Sequence, residues 1–241
     1  MAQALASDRI SEPRLRAALV AAGRRLGARG LISAGEGNLS IRLSGGRLLV
    51  TPAGRRKDEL EPDDLVVVEL VATEARGRRR ARSGPGPRPT SDLAIHRAVL
   101  GVRPDAMAVA HAHLPATMAL TLAGEAPDPD ALPETALFLP RLSVLAYGDP
   151  GSDDLARRIA AALSEPPEPW PGALILERHG AVAVGSAPPA RRGDGRDATE
   201  LAVAALAQAV DRLELIEVLS RAWRDMILLR GARAGGYPSK P

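Results

Sequence analysis

The feature that most constrains this 241-residue chain is its shortage of large flat side chains. Phe138, Tyr147, Trp170, Trp223 and Tyr237 are its whole aromatic supply. Any core must therefore be aliphatic, built from Leu, Val, Ile and Ala, and its elements must approach closely to pack at protein density. The same shortage argues against stacking platforms for single-stranded nucleic acid. A chain of this length buries roughly 70% of its unfolded surface, enough for one globular domain without a covalent staple. Cysteine is absent, which excludes disulfides, thiolate metal sites and a cysteine nucleophile.

Charge is less informative than it looks. Arginine supplies 30 of the 32 basic residues and lifts the pI to about 9.9, yet 29 acidic residues leave a net charge of only +3. That balance does not call for a nucleic-acid partner. The one dense basic run, RGRRRARSGPGPRP from Arg76 to Pro89, has no periodicity and is expected to be a solvated or disordered loop. RRGDGRD from Arg191 reads as a second polar loop, and GGYPSKP as a tail. No run of 18 apolar residues exists and the N-terminal segment is polar, so a soluble, cytoplasmic protein without a membrane partner is expected.

Helix and strand periods alternate along the chain. Ser11 can cap a helix whose first turn holds Glu12 and Pro13, and Leu15, Leu19, Ala22 and Leu26 then form one face before Gly30 closes it. LSIRL (Leu39–Leu43) and RLLVT (Arg47–Thr51) flank SGG and read as a hairpin. LVVVELV (Leu65–Val71) reads as a buried strand, followed by a helix from near Ser91 and a strand MAVAHAH (Met107–His113). A short helix from Pro115, a helix after Ser152, and strands from Ala173 and Ala181 come next. A long helix runs from near Asp197 to about Arg230, with Leu206, Val210, Leu213, Ile216 and Trp223 on an apolar stripe. Helices interleaved with hairpins imply a layered α/β fold whose sheet is mixed or antiparallel.

The chemistry concentrates in histidine. Alternation along a strand points His111 and His113 to the same side, where two imidazoles can grip one cation. His179 ends another strand just before a glycine and can supply a third ligand. Three neutral imidazoles leave an open coordination position, the arrangement of a catalytic zinc site. The competing reading is a set of satisfied core or surface histidines. In RPTSDLAIH, Thr90 or Ser91 caps a helix, Asp92 falls in its first turn, and His96 lies four residues on as a helix-surface partner. GEGN (Gly35–Asn38) and TPAG (Thr51–Gly54) can present backbone N–H groups to an anion. They complete neither G-x-G-x-x-G nor a P-loop, and no G-x-S-x-G or H-E-x-x-H is present.

In order, GN-LS-IRL, LLVTPAG, PTSD, AHAHLPAT and LERHGAVAVG resemble the class II aldolase/adducin family, over about residues 12 to 230. The resemblance implies a three-layer α/β/α sandwich around a mixed, mostly antiparallel sheet, filling the chain as a single domain. It implies His111, His113 and His179 as ligands of a divalent cation, usually zinc, and Asp92 as the acid/base. Aldolase members carry Glu there and the epimerase-like branch carries Asp. It maps a phosphate cradle to Gly37, Asn38, Thr51, Gly54, Thr90 and Ser91, and a further acid, often donated by a neighbouring subunit, to Tyr237. Glu134 falls where members place pocket residues.

Two departures stand out. Glu36 places a negative charge in the cradle, repulsive to a phosphate dianion, and Ala53 replaces the hydroxyl of TPSG. Arg55, Arg56 and Lys57 are the nearby cations that can offset it. The activity so implied is aldol cleavage or formation on a small hydroxylated ketone, a sugar phosphate among the candidates, with a ketose or aldehyde as substrate, in a homotetramer. The alternatives are a sugar-phosphate epimerase or dehydratase of the same family, and a non-catalytic adducin-like interaction domain.

Overall fold

The computed structural model describes residues 10–71, 86–139, 141–168, 170–186 and 197–234. In chain order the elements are α1 (Glu12–Ala28), β1 (Asn38–Leu43), β2 (Arg47–Val50), β3 (Val66–Glu69), α2 (Leu93–Val102), β4 (Ala106–Ala112), α3 (Pro115–Leu122), α4 (Pro133–Phe138), β5 (Ser143–Leu145), α5 (Asp153–Leu163), β6 (Ala173–Leu176), β7 (Gly180–Ser186) and α6 (Ala198–Ala234). The expected basic loop lies outside the described residues from 76 to 85, as do 191–196 of the second loop and 235–241 of the tail. Among the described residues no helix is long and apolar enough to cross a membrane.

The strands form one seven-stranded sheet in the order β3-β2-β1-β4-β7-β6-β5. Every pairing is antiparallel except β5 with β6, so the mixed, mostly antiparallel sheet is as expected. Strand alternation sorts side chains into two cores. On one face Leu39, Ile41, Ala108, Ala110, Ala112, Ala181 and Ala183 pack with α1 and α6. On the other, Leu48, Val50, Val109, Val182 and Val184 pack with α2 and α5. The result is an α/β/α sandwich with an aliphatic core.

Local differences from the sequence reading have physical causes. The β-branched run from Leu65 is an edge strand, and Val66, Val67 and Val68 are only half-buried because β3 pairs on one side alone. Ser11 holds the N-cap position of α1, but its hydroxyl caps nothing and its backbone N–H donates to Thr199 Oγ1 at 2.9 Å. Ser152 does cap, accepting from the Leu155 N–H at 3.1 Å. α4 and β5 carry no clear period in a stretch punctuated by proline, and neither was expected.

The middle of the chain and its C-terminal helix meet through one carboxylate. Glu217, buried on α6, accepts the backbone N–H groups of Ala116 and Thr117 at the start of α3, the Thr117 hydroxyl, and the Arg221 guanidinium at 2.9 Å. A carboxylate at a helix N-terminus satisfies donors that the helix cannot satisfy itself. Glu217→Ala leaves the Ala116 and Thr117 N–H groups buried and unpaired. It is expected to reduce unfolding free energy by about 2–4 kcal/mol, read as a lower urea midpoint with an unchanged slope.

Candidate metal centre and active site

Three imidazoles converge where β4 ends and β7 begins. His111 lies opposite Val182 on β7 and opposite Asn38 on β1. His113, two residues on, projects to the same side. His179 arrives from the turn between β6 and β7, in which Arg178 and Gly180 both take positive φ (58° and 104°). A side chain at Gly180 would collide with the carbonyl of Ala112, so glycine lets this turn lie against the end of β4. The ring centroids stand 4.8–5.0 Å apart, and one candidate ligand atom from each residue falls within 4.8 Å of the others.

The donor set fits a divalent cation. His111 Nδ1 donates to the Ala181 carbonyl at 2.9 Å, which leaves Nε2 with its lone pair, and that buried Nε2 has no partner. Nδ1 of His179 is likewise buried without a partner. Orphaned buried ring nitrogens within one cluster are what a bound cation would satisfy. Burial, reinforced by His179 and His113, holds the His111 imidazolium off until about pH 3. His179 is also pushed down, by burial first and then by His113. Both rings are thus neutral near pH 7, the state that can ligate. His113 Nδ1 lies 3.5 Å from Glu36 Oε1, and the Ser33 hydroxyl donates to Glu36 Oε2 at 2.7 Å. The Ser33 bond foremost, with His113 adding to it against partial burial, keeps the Glu36 carboxyl below its ordinary range.

A cavity of about 200 Å³ adjoins the triad. Its walls include His113, His179, Asp92, Glu36 and Lys57, and among the expected cradle residues Gly37, Asn38, Gly54, Thr90 and Ser91, with Ala53 and Pro150. Thr51 is not part of the wall. It is fully buried, and its hydroxyl accepts the Leu39 N–H at 3.1 Å to tie the β1–β2 hairpin. Glu134 is exposed on α4 away from this cavity. Tyr237 lies outside the described residues.

The region around Asp92 differs from the sequence reading. Asp92 is itself the N-cap of α2 rather than a first-turn residue, and its carboxylate makes no capping bond. Its backbone N–H donates to Thr90 Oγ1 at 3.2 Å, while Oδ2 accepts from Asn38 Nδ2 at 2.7 Å. His96 is not a surface partner. It is 0% exposed and hydrogen-bonded to both Asn38 and Ser40.

Of the three nearby cations only Lys57 turns inward. Arg55 and Arg56 pair with Asp64 and Asp58 at the surface, at 3.0 and 2.8 Å. Lys57 is 1% exposed and donates to the carbonyls of Gly35 (2.5 Å) and Arg55 (2.7 Å). Burial lowers its affinity for the proton, with Asp92 acting in the opposite sense. The run Arg-Arg-Lys in a polar turn gives no sequence signal that one member is buried.

Family comparison places the chain. Residues 17–192 match the class II aldolase and adducin N-terminal domain, and the chain belongs to that family. Methylthioribulose-1-phosphate dehydratase of Acidiphilium cryptum (strain JF-5) is 35% identical over 175 residues, 69% of this chain and 78% of that protein. 5-Methylthioribulose-1-phosphate/5-deoxyribulose-1-phosphate aldolase of Rhodospirillum rubrum is 33% identical over 172 residues, covering 71% of each. The crystal structure of L-fuculose-1-phosphate aldolase from Thermus thermophilus is similar with a TM-score of 0.69 at 30% identity, covering 94% of this chain and 99% of that one. The protein is thus a member of a superfamily of lyases and dehydratases.

Burial of His96 sets a pH dependence of stability. Desolvation, opposed by Asp92, lowers its folded pKa to about 4 from an ordinary 6.5. Between those values the unfolded chain binds a proton that the folded protein refuses, so unfolding is favoured as pH falls. The full stabilisation is present above pH 6.5 and is lost progressively down to about pH 4. The size is on the order of 3 kcal/mol. Urea titrations of metal-free protein at about pH 7 and about pH 4.5 are expected to show a smaller loss for His96→Gln than for the parent, because Gln does not titrate.

Proposed function

We propose that this protein is a divalent-metal-dependent lyase acting on a small phosphorylated ketose, with His111, His113 and His179 as ligands and Asp92 as the proton-transfer group. The observation that carries this reading is the convergence of three imidazoles, two with orphaned nitrogens, on a cavity that also exposes a carboxylate. Three imidazoles with an open position suit zinc. When bound, the cation supplies Lewis-acid polarisation of the substrate's hydroxyl and carbonyl oxygens.

The chain's own groups do the rest. Asp92 stands in the cavity wall, fixed by Asn38, where it can take a proton from substrate carbon or oxygen and return it. Lys57 brings a buried positive charge to the opposite loops, and two carbonyl acceptors leave one of its three N–H groups for an anionic substrate group. That charge opposes the repulsion of Glu36. Aldol cleavage breaks the bond between the carbon beside the carbonyl and the hydroxyl-bearing carbon next to it. The hydroxyl proton leaves the fragment that becomes the aldehyde, and a proton is added at carbon to the other fragment.

A second reading is dehydration, favoured by Asp rather than Glu at position 92 and by likeness to the Acidiphilium dehydratase. There Asp92 takes a proton from the carbon beside the carbonyl and passes it to the hydroxyl on the next carbon, which leaves as water. Zinc-loaded protein is to be incubated with fuculose 1-phosphate and with 5-methylthioribulose 1-phosphate and followed by NMR. Two fragments mark aldol cleavage, and one product lighter by a water marks dehydration. Chelator treatment and His113→Ala are each expected to lower turnover by at least about a hundredfold. Full activity after either sinks the reading.

A further inference from the structure

Four buried polar side chains from two distant segments form one hydrogen-bonded row. Ser40 Oγ meets His96 Nδ1 at 2.7 Å, His96 Nε2 meets Asn38 Oδ1 at 2.7 Å, and Asn38 Nδ2 meets Asp92 Oδ2 at 2.7 Å. The spacing explains why the row forms. Asn38 and Ser40 stand two apart on β1, about 6.8 Å by strand rise, and Asp92 and His96 stand four apart around α2, about 6 Å by helix rise. A helix lying along the strand thus brings both pairs together, so that His96 sits between the two strand residues and Asn38 between the two helix residues.

The row has only one consistent polarity. An ionised Asp92 can only accept, so the Nδ2 end of Asn38 must face it, and Oδ1 must face His96. His96 then has its proton on Nε2, and its Nδ1 accepts from the Ser40 hydroxyl. Asn38 and His111 are directly opposed on β1 and β4, so the row runs alongside the imidazole triad.

We propose that His96 is a positioning residue for Asp92, acting through Asn38, with Ser40 partnering the other ring nitrogen. The proposal rests on the reading of Asp92 as the proton-transfer group. With the Nε2 proton in place, the Asn38 amide cannot turn over without setting its oxygen against the Asp92 carboxylate. Asn38 therefore keeps one Asp92 oxygen occupied and the carboxylate turned away from its own helix cap, toward the cavity. His96 touches neither substrate nor metal in this role.

Two measurements test it. The first needs no substrate: NMR of zinc-loaded protein labelled with nitrogen-15 in His and Asn, near neutral pH. The expected result is the neutral Nε2–H tautomer at His96 and slowly exchanging Asn38 amide protons whose shifts move in both Asp92→Asn and His96→Gln. An Nδ1–H tautomer, or Asn38 signals indifferent to either substitution, overturns the proposal. The second uses whichever of the two sugar phosphates is turned over. His96→Leu, which has no donor, is expected to lose kcat by about ten- to a hundredfold with KM nearly unchanged, and His96→Gln, whose amide can donate to Asn38, to recover most of it. Equal losses in both variants, or a loss in KM alone, overturn it. Full activity of Asp92→Asn instead refutes the proton-transfer reading, and the NMR result then still decides whether His96 orders Asn38 and Asp92.

Discussion

The close approach of α6 to the sheet is the constraint on which the rest of the molecule depends. A side chain at Gly185 on β7 would strike the Ala205 carbonyl of α6, so helix backbone and strand backbone nearly touch there. Ala108, Ala110 and Ala112 of β4 and Ala181 and Ala183 of β7 form the surface on which α6 lies, met by Ala202, Ala205 and Ala209 from the helix. A chain with five aromatics cannot fill a deep interlayer gap, and it closes the gap by using small side chains on both surfaces. Close packing of alanine against alanine gives each residue little buried area, and the contact succeeds because the buried stripe of α6 continues from Ala202 through Leu206, Val210 and Leu213 to Ile216.

Alternation then decides what the opposite face can hold. Because alanines occupy every second position of β4 on the α6 side, the intervening positions, Val109 and His111, are directed to the α2 side, and His113 continues their row. The β1 residues paired to them, Ser40 and Asn38, face the same way. The polar groups of the site are therefore on the face away from the tightest packing, beside the helix that supplies Asp92 and His96. The same register that seats α6 aligns the histidines with the carboxylate.

What could be read in the sequence follows from the range of the interaction involved. His111 and His113 are two apart on one strand, so alternation alone shows that they share a side, and His179 beside Gly180 is marked by the turn it occupies. Helix periods and the hairpin around Ser44 are equally local. The link between Asn38 and Asp92 spans 54 positions and that between Asn38 and His96 spans 58, and both depend on how α2 lies along β1. No local period encodes that docking, so His96 reads in sequence as a surface neighbour of Asp92. That Lys57, rather than Arg55 or Arg56, turns inward is hidden for a related reason: it is drawn there by the carbonyls of Gly35 and Arg55, acceptors that every sequence has and none displays. The edge position of β3 is invisible too, since a β-branched run has the same letters whether one or both of its sides are paired.

Asp92 shows how a local rule can yield to a longer-range one. Aspartate at an N-cap ordinarily turns its carboxylate to the first amides of its own helix, an arrangement worth about 1 kcal/mol. Here the carboxylate forgoes that bond and accepts from Asn38 instead, while the hydroxyl of Thr90 takes the Asp92 N–H. The exchange is close to neutral in hydrogen-bond number, since one donor is traded for another, but it moves the charge from the helix end to the cavity wall. A residue that suits its local position and is nevertheless held away from it by three other buried side chains is a point where stability and site geometry make different demands. The row from Ser40 to Asn38 is what settles the contest. Its members are fully partnered only when the carboxylate faces the cavity, so turning Asp92 back to cap α2 would leave the Asn38 amide, buried at 3% exposure, without its acceptor.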